Sequence, residues 1–326
     1  MLQYLIIQLD DSSTSFCHYT NPKSTPKLIS LEDLRAAIIF GMKENLMIQY
    51  LYPDYDLPIE YQELIESIDH TKIASLESTL QSPDVVVING WKEDINLKDG
   101  VAYVLRLSKQ TLFDNQDNIF SQLKNTSRIN IVLTDIETFT DDDFQKYEKL
   151  LENLSKVIET IYVSGQYPQI NILTDRVFVS QMNNCDAGNT NITIAPDGRF
   201  YVCPAFYYEK AENEFMGLGG PKESPFSIGD LTNGLDIKNK QLYKIDHAPL
   251  CKTCDAFQCK RCVWLNRKMT YEVNTPSHEQ CVIAHLERNA SRKLLQNLKD
   301  KVSIMKDIEQ IKEINYLDPF DVRKVW

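Results

Sequence analysis

The sequence predicts an α/β protein that continues into a small cysteine-rich region and ends in a helix. Over the first 180 residues, strand-like and helix-like segments alternate, which is typical of βα units with a mostly parallel sheet. Beyond that point the pattern changes to a hairpin, a loop and seven closely spaced cysteines. From Val282 to about Asn315, apolar residues recur at helical spacing, which predicts a long helix packed on the body of the protein.

Runs of apolar and β-branched residues predict the strands, and apolar residues at helical spacing predict the helices. The predicted strands are Leu2–Leu9, Asn45–Tyr52, Asp84–Asn89, Val101–Leu107, Arg128–Thr134 and Ile170–Leu173. The predicted helices are Leu31–Met42, Tyr61–Ile68, Leu112–Leu123 and Asp141–Glu159. Ser30 is the expected N-cap of the first helix, with Asp33 as the acidic residue three positions later. Residues 192–203 predict a hairpin that turns at Pro196-Asp197-Gly198, and residues 209–225 predict a loop.

Composition and charge exclude several classes of protein. Apolar residues make up 43% and charged residues 25% of the 326 residues, as in soluble globular proteins. The net charge of −11 argues against nonspecific binding to nucleic acid or to an anionic membrane. No apolar run is long enough to span a bilayer. The apolar N-terminus reads as a buried strand rather than a signal peptide, so we expect a cytoplasmic protein.

The eight cysteines are unevenly placed, which makes them the strongest functional signal in the chain. Cys17 stands alone, and the other seven fall within about 100 residues. A reducing cytoplasm argues against disulfides, so the cluster indicates metal binding. The densest part is Cys251-x2-Cys254-x4-Cys259-x2-Cys262, in which each CxxC pair places two thiolates on one tight turn.

Three interpretations of this spacing compete. A structural zinc site takes four ligands and would leave three cysteines over, and the four-residue gap between the CxxC pairs is shorter than in a zinc ribbon. Buried thiols without metal would not cluster in this way. Iron–sulfur clusters use all-thiolate ligation and tight cysteine loops, and they are favoured.

Residues 251–268 are also basic in an otherwise acidic protein. The basic residues are Lys252, Lys260, Arg261, Arg267 and Lys268, against the single acidic residue Asp255. They form either a pocket that offsets the negative charge of thiolate-ligated clusters or a solvated surface, and local charge does not separate the two.

The order of cysteines resembles the SPASM domain, the auxiliary iron–sulfur module of many radical S-adenosylmethionine (radical SAM) enzymes that mature peptides. The matching pattern runs from Cys185 through Gly198 and Cys203 to the Cys251–Cys262 segment and Cys281. The segments Ala195-Pro196-Asp197-Gly198 and Ile228-Gly229-Asp230-Leu231 also match the family. One departure is that the family pattern is CxxC-x5-C-x3-C, so each of the last two gaps is one residue shorter here.

The resemblance implies two [4Fe–4S] clusters and assigns their ligands. The distal cluster would be held by Cys251, Cys254, Cys259 and Cys281. The inner cluster would be held by Cys185, Cys203 and Cys262. Family members with a full ligand set have one more cysteine before the position of Cys185, and none stands here. The fourth iron of the inner cluster would be open, water-bound or bound by a residue such as Asp186 or His278, each of which also fits an ordinary surface role.

The resemblance also implies the domain order. It predicts a partial (β/α) barrel of radical SAM type, degenerate in its motif, over residues 1–180. A SPASM iron–sulfur domain would follow over 181–285, and a C-terminal helical extension over 286–326. Within this superfamily, the chain resembles the maturases of Cys-repeat (CXXX-repeat) peptides.

The radical SAM motif itself is degenerate. The family places CxxxCxxC on the loop after the first strand, and the aligned positions here are Asp10, Thr14 and Cys17. The GGEP-like segment that contacts the methionine moiety is Leu51-Tyr52-Pro53-Asp54. Cubane clusters depend on soft thiolate ligands, so we expect no radical SAM cluster and no bound S-adenosylmethionine. Cys17 is then either a vestigial buried thiol or a nucleophile beside His18, although adjacency along a strand is weak support for a dyad.

These observations lead to one functional hypothesis and two alternatives. The hypothesis is an iron–sulfur SPASM protein of a ribosomal-peptide maturation system. Such a protein would bind a Cys-rich precursor peptide or relay electrons to an active partner. Its further partner would be an active radical SAM enzyme or an electron donor. The first alternative is an active redox or thiol-modifying peptide maturase. The second is a zinc-stabilised interaction module.

Overall fold

The computed structural model of the protein describes residues 2–22, 25–182, 185–209 and 226–311. Its strands are β1 (Tyr4–Gln8), β2 (Met47–Leu51), β3 (His70–Ser75), β4 (Val85–Asn89), β5 (Ala102–Leu107), β6 (Arg128–Leu133), β7 (Gln169–Ile170), β8 (Asn191–Ile194), β9 (Arg199–Tyr201), β10 (Ser227–Asp230) and β11 (Gly234–Leu235). Its α-helices are α1 (Leu31–Lys43), α2 (Ile59–Ile65), α3 (Lys109–Ser121), α4 (Asp141–Val163), α5 (Asp175–Phe178), α6 (Pro204–Tyr208), α7 (Val263–Thr270) and α8 (His278–Leu298). The chain divides into two compact units. The first unit is Met1–Val87 with Asp186–Ala248, and the second is Ile88–Cys185 with Pro249–Trp326.

The first unit is built on a mixed sheet with the strand order β4-β3-β2-β1-β8-β9-β10-β11. Neighbouring strands are parallel from β4 to β8 and antiparallel from β8 to β11. Ile7 of β1 lies in register with Tyr50 of β2 and Ile194 of β8, and all three are fully buried. Continuous apolar strands of this kind are typical of parallel sheets with both faces covered, which is why the sequence pattern predicts them.

Two local predictions in the first unit are confirmed. Ser30 caps α1, and its hydroxyl accepts a hydrogen bond from the backbone N–H of Asp33 at 3.0 Å. The hairpin formed by β8 and β9 turns at Gly198, whose φ of +74° favours glycine. Of the loop predicted over residues 209–225, all but the first residue lies outside the described residues.

Strand β3 is one of the elements that the sequence pattern does not predict. Only Ile73 and Ala74 of its six residues are apolar, so the segment has no run of strand type. It forms because it pairs in parallel with β2 on one side and β4 on the other. Pairing on both sides outweighs a weak local preference.

The second unit contains the parallel strands β5, β6 and β7 and the long amphipathic helix α4. Helix α4 begins with a capping box between Thr140 and Asp143 and buries the predicted stripe that includes Phe144, Tyr147 and Leu151. It continues one turn beyond the predicted end, to Val163.

Strand β7 is shorter than the predicted Ile170–Leu173. The ladder stops at Ile170, and the side chain of Asn171 then takes over the pairing with β6. Its Oδ1 accepts from the backbone N–H of Ile131 at 2.7 Å, and its Nδ2 donates to the carbonyl of Ile131 at 2.8 Å. An asparagine side chain can substitute for a peptide group in this way, so the strand prediction is wrong beyond Ile170.

The C-terminal helix is also shorter than the predicted Val282–Asn315. Helix α8 begins at His278, where the hydroxyl of Ser277 accepts from the backbone N–H of Gln280 at 3.3 Å, and it ends at Leu298. Val302 and Met305 follow in an extended residue and a 3₁₀ turn, yet both are buried. The apolar stripe therefore correctly marks buried positions but not a continuous helix. Residues 312–315 lie outside the described residues.

No helix within the described ranges is both long enough and apolar enough to cross a membrane.

Candidate functional site

The candidate site is built on residues 251–262, here called the cysteine loop, which lies in the second unit. Two contacts fasten this loop to α8. Asp255 forms a buried ion pair with Arg288 at 2.6 Å, and the side-chain amide of Gln258 donates to the carbonyl of Ala284 at 2.7 Å. The backbone carbonyl of Asp255 also accepts from Nε of Arg176 at 2.9 Å. Removing one partner of a buried ion pair destabilises a protein by several kcal/mol. These contacts therefore hold the loop in one geometry.

The structure brings the four residues of the predicted distal set around one cavity. Cys251, Cys254, Cys259 and Cys281 all line a cavity of about 120 Å³. The first CxxC pair closes as a tight turn, in which the backbone N–H of Cys254 donates to the carbonyl of Cys251 at 3.1 Å. A water molecule needs only about 10–15 Å³ of such space, so the cavity has room for a group much larger than one ion. All eight cysteines of the chain are reduced thiols.

The thiols surround this space rather than meeting at one point. Among the described residues, no group of three His, Cys, Asp or Glu side chains is close enough to ligate a single metal ion. Zinc would need its sulfur ligands at about 2.3 Å from one centre. The assignment of the seven cysteines as ligands therefore stays a prediction, while the geometry places four of them around one cavity.

Burial makes the cavity thiols poor acids before any metal binds. It raises the pKa of Cys251 to about 11, against a smaller lowering by the nearby Arg261 guanidinium. Burial also raises the pKa of Cys259 to about 12, with further increases from the neighbouring Cys251 and Cys254. These thiols keep their protons at neutral pH, so a metal or cluster must displace protons to bind here.

The basic residues of this region differ in burial: one is buried against the cavity, and others are exposed to solvent. Arg261 is buried at 2% exposure and lines the cavity, with an unusual backbone φ of +43°. Lys252 and Lys268 are exposed, and Lys268 forms an ion pair with Glu137 at 2.5 Å. Thus one guanidinium faces the thiols, where it would offset the charge of thiolates, and two of the lysines belong to the solvated surface.

His285 also lines this cavity, although no sequence motif marks it. It lies one turn after Cys281 on α8, and its Nε2 is 3.5 Å from Sγ of Cys254. The signal that could have found it is the i, i+4 spacing of Cys281 and His285, which places both side chains on one helix face. That signal becomes informative only once the segment is known to be helical and to begin before Cys281.

The predicted inner set is distributed over both units. In the second unit, the backbone N–H of Cys185 donates to the carbonyl of Lys260 at 2.9 Å, which brings Cys185 to the end of the cysteine loop beside Cys262. Burial raises the pKa of Cys262 to about 12, and the nearby Cys185 adds to that increase. Cys203 belongs to the first unit and directly precedes α6.

The two residues considered as a fourth ligand of the inner set lie in different units. Asp186 opens a turn in the first unit, with φ of +49°, and its carbonyl accepts the backbone N–H of Asn189. His278 is the first residue of α8 in the second unit, and its ring packs edge-on against Phe144 at 6.2 Å between centroids.

The loop after β1, which carries the degenerate motif, is held by internal hydrogen bonds in the first unit. Asp10 is fully buried; its Oδ1 accepts from the backbone N–H of Ser12 at 2.7 Å, and its Oδ2 accepts from the hydroxyl of Tyr55 at 2.8 Å. Thr14 is buried and Cys17 is partly buried. Asp10 is thus part of a hydrogen-bonded network, and Cys17 is the one thiol among the three aligned positions.

A second carboxylate of this loop is bonded in the same way. Tyr207 donates to Oδ1 of Asp11 at 2.5 Å, and Tyr208 donates to the backbone carbonyl of Asp11 at 3.0 Å. Burial and the bond to Asp11 both raise the pKa of Tyr207 well above its ordinary value. In the segment aligned with the methionine contact, the carbonyl of Leu51 accepts from the hydroxyl of Ser13 at 3.0 Å, and the carboxylate of Asp54 accepts from the hydroxyl of Ser75.

A buried acid lies behind the cysteine loop, and no sequence pattern points to it. Glu287 of α8 is 9% exposed and accepts a hydrogen bond from the hydroxyl of Tyr147 of α4 at 2.7 Å. Burial raises the pKa of Glu287 to about 8, despite the lowering by its hydrogen bonds to Tyr147 and Gln258. The acid is therefore largely protonated at neutral pH, which removes a negative charge next to the thiols.

Comparison with known proteins identifies a fold but no close relative. No model of a known protein family matches the chain, and no curated protein matches it in sequence. Among solved structures, a polyhistidine-tagged anSMEcpe with bound AdoMet matches with a TM-score of 0.59 at 13% identity, over 94% of this chain and 97% of that one. Native anSMEcpe with bound AdoMet and Kp18Cys peptide matches with a TM-score of 0.58 at 13% identity, over 91% of this chain and 99% of that one.

The comparison confirms the predicted fold class, an α/β fold with the partial barrel of the radical SAM type. The shared fold extends over nearly the whole of this chain and of the matched structures. At 12–13% identity, the likeness extends to the fold alone.

Proposed function

We propose that this protein is a cytoplasmic iron–sulfur protein of a ribosomal-peptide maturation system that works without a radical SAM cluster of its own. In this role it binds a Cys-rich precursor peptide or relays electrons to a partner. The observation that carries the proposal is the cavity shared by Cys251, Cys254, Cys259 and Cys281.

The donor set fits an iron–sulfur cluster. Four thiols line a space larger than one ion needs, and a buried guanidinium, Arg261, faces the same space. All-thiolate ligation is the preference of [4Fe–4S] clusters, and a cationic neighbour lowers the cost of burying an anionic group. Cys251, Cys254, Cys259 and Cys281 would hold one cluster, and Cys185, Cys203 and Cys262 would contribute to a second. A bound cluster would supply one-electron transfer.

The first unit supports the proposal that the protein has no radical SAM cluster of its own. The loop after β1 offers one cysteine where the family motif has three, and the carboxylate of Asp10 is already satisfied by Ser12 and Tyr55. A cubane needs soft thiolate ligands, so this loop is unsuited to the radical cluster. Without that iron site, we expect no S-adenosylmethionine to be cleaved.

The structural neighbours support a peptide as the partner. Two of the matched structures are described as anSMEcpe with bound AdoMet and with the Kp18Cys or Cp18Cys peptide. This chain shares their fold while its own motif is degenerate, so we carry over the peptide and not the AdoMet. With only three predicted thiolates, the inner site has room for one more sulfur ligand, and a cysteine of the bound peptide is suited to it. The net charge of −11 argues against nucleic acid as the partner.

The proposal is tested by anaerobic purification followed by iron, acid-labile sulfide and zinc analysis. We expect iron and sulfide near the amounts for two [4Fe–4S] clusters, with the broad visible absorption of such clusters. Stoichiometric zinc without sulfide would instead identify a zinc-stabilised interaction module.

A second experiment separates a binding or electron-relay protein from an active maturase. The loaded protein is incubated with a reductant, S-adenosylmethionine and a Cys-rich peptide, alone and together with an active radical SAM enzyme. We expect peptide binding, but no 5′-deoxyadenosine and no mass change of the peptide when the protein acts alone. Turnover by the isolated protein would contradict the proposal.

A further inference from the structure

We propose that His285 is a positioning residue for the metal centre of the cavity. Through Nε2 it donates a hydrogen bond to the sulfur of Cys254 and thereby raises the reduction potential of the centre that this sulfur ligates. This inference rests on the proposed function, because it concerns a cluster bound by the cavity thiols.

The geometry that supports the inference is local to the second unit. Nε2 of His285 and Sγ of Cys254 are 3.5 Å apart, within hydrogen-bonding reach for sulfur. Both residues line the cavity of about 120 Å³, together with Cys281, which lies one helical turn before His285 on α8. His285 is 7% exposed, so the contact is shielded from water.

The helix also restricts the imidazole to this position. The cysteine loop is fastened to α8 close to Cys254, by the Asp255–Arg288 ion pair and by the Gln258–Ala284 hydrogen bond. Because the loop and the helix are joined at two points, the separation of Cys254 and His285 does not depend on a mobile side chain alone.

The direction of the hydrogen bond follows from the chemistry of a metal ligand. A thiol that ligates iron has lost its proton, so its sulfur can only accept. Nε2 of His285 must then carry the proton, and metal loading selects that tautomer. The backbone N–H of Ala256 also approaches Sγ of Cys254, at 3.4 Å, so this sulfur receives a main-chain donor and a side-chain donor.

A donor at the sulfur has a predictable electronic effect. Hydrogen bonds to cluster sulfurs stabilise the more negative, reduced state and so raise the potential. Removal of the imidazole donor should lower the potential of one cluster while the backbone donor of Ala256 remains. A histidine that merely fills space in the core would not have this effect.

The experiment is a redox titration of the anaerobically loaded protein, followed by electron paramagnetic resonance, with three variants. His285→Leu removes the donor, and His285→Gln replaces it with an amide N–H. His247→Leu is the control, since His247 is an exposed histidine of the first unit and does not line the cavity. We expect one cluster to become harder to reduce in His285→Leu, with unchanged iron content. We expect the potential to return toward the wild-type value in His285→Gln and to stay unchanged in His247→Leu.

Three results would overturn the inference. If the potentials of His285→Leu and the wild type coincide while both proteins hold equal iron, the imidazole does not act on the cluster, and the proposed function is unaffected. If His285→Leu is folded by circular dichroism but has lost the iron of one cluster, His285 is a ligand rather than a hydrogen-bond donor. If the wild-type protein itself holds no iron and sulfide, the proposed function fails together with the inference.

Discussion

The hydroxyl of Tyr55 donates a hydrogen bond to Oδ2 of Asp10, with 2.8 Å between the two oxygens. Asp10 stands at the first position of the degenerate cysteine motif and is fully buried, and its other carboxylate oxygen accepts from Ser12. Burying a carboxylate is costly unless its oxygens accept hydrogen bonds. The residue aligned with the first thiolate of the resembled motif is therefore part of the packing of this loop.

Tyr55→Phe should destabilise the protein without reducing its iron content. The substitution leaves the ring in place and removes one hydrogen bond to a buried carboxylate, which costs about 1–3 kcal/mol. Because Tyr55 is itself 36% exposed, water can reach part of the site, and the loss should fall toward the lower end. The free energy of unfolding in urea and the iron content would be measured together.

Tyr167→Phe is the matched control for this change, since Tyr167 is exposed at 42% and lies in the other unit. It should alter the free energy of unfolding by less than about 0.5 kcal/mol. Equal effects of the two substitutions would show that the Tyr55–Asp10 bond contributes nothing to stability. A loss of iron in Tyr55→Phe would place a cluster near this loop.

Cys251→Ala should remove about half of the bound iron and lower stability, since metal-binding free energy is also folding free energy. Cys251 lines the cavity, whereas Cys17 is a partly buried thiol of the loop after β1. Cys17→Ala should therefore keep the full iron content and unfold near the wild-type temperature. The two variants would be compared by iron and sulfide analysis and by thermal unfolding under argon. Retention of all iron in folded Cys251→Ala would disprove the assignment of this ligand.

The cysteine spacing predicts thiolate donors and the proximity of Cys251 to Cys254, because a CxxC turn is local. The grouping of these two with Cys259 and Cys281 comes from the family resemblance. The spacing could not be used to find Arg261, His285 and Glu287 as neighbours of those thiols. Their roles depend on how α8 packs against the cysteine loop, which is a contact between segments distant in sequence. Charge alone also did not show which of the basic residues is buried.

The fold shows the same limit. Strand β1 is predictable because its residues are apolar and buried on both faces, whereas β3 forms through its neighbours with only Ile73 and Ala74 as local signal. At β7, the ladder ends because the side chain of Asn171 replaces a peptide group. Periodicity reports burial, and it does not report which group supplies the hydrogen bonds.

Gly229→Ala should be much more damaging than Gly234→Ala, although both glycines lie in the β10–β11 hairpin. Both have positive φ, +121° and +83°. A Cβ at Gly229 would overlap the backbone carbonyl oxygen of Gly234, whereas a Cβ at Gly234 would have no heavy atom within 4 Å. Gly234→Ala should cost about 1–2 kcal/mol for its backbone conformation alone, and Gly229→Ala more than about 3 kcal/mol.

Chemical unfolding of the two glycine variants in the same buffer measures this difference directly. Because Gly229 lies in the Ile228-Gly229-Asp230-Leu231 segment that resembles the SPASM family, the result also tests whether that glycine serves the close approach of two backbones. Equal losses in the two variants would contradict this explanation.

Glu287→Gln should make the metal-free protein less sensitive to rising pH. Burial raises the pKa of Glu287 to about 8 from the ordinary value of 4.5, so the unfolded chain releases this proton at a lower pH than the folded protein. The stabilisation is fully present below about pH 4.5 and is lost as pH rises through 8. The loss is at most about 1.4 kcal/mol per pH unit. Glutamine keeps the shape, and its amide oxygen can accept from Tyr147, but it does not ionise.

The measurement is the free energy of unfolding of wild type and Glu287→Gln in guanidinium chloride at pH 5, 6, 7 and 8, without metal and under argon. Other titrating groups contribute equally to both proteins, so the difference between them isolates Glu287. The variant should gain about 3 kcal/mol relative to the wild type between pH 5 and pH 8. A difference that stays constant over this range would mean that Glu287 ionises equally in the folded and unfolded states. Glu287 would then be charged at neutral pH. Its negative charge would oppose the ionisation of the neighbouring cysteine thiols, which metal binding requires.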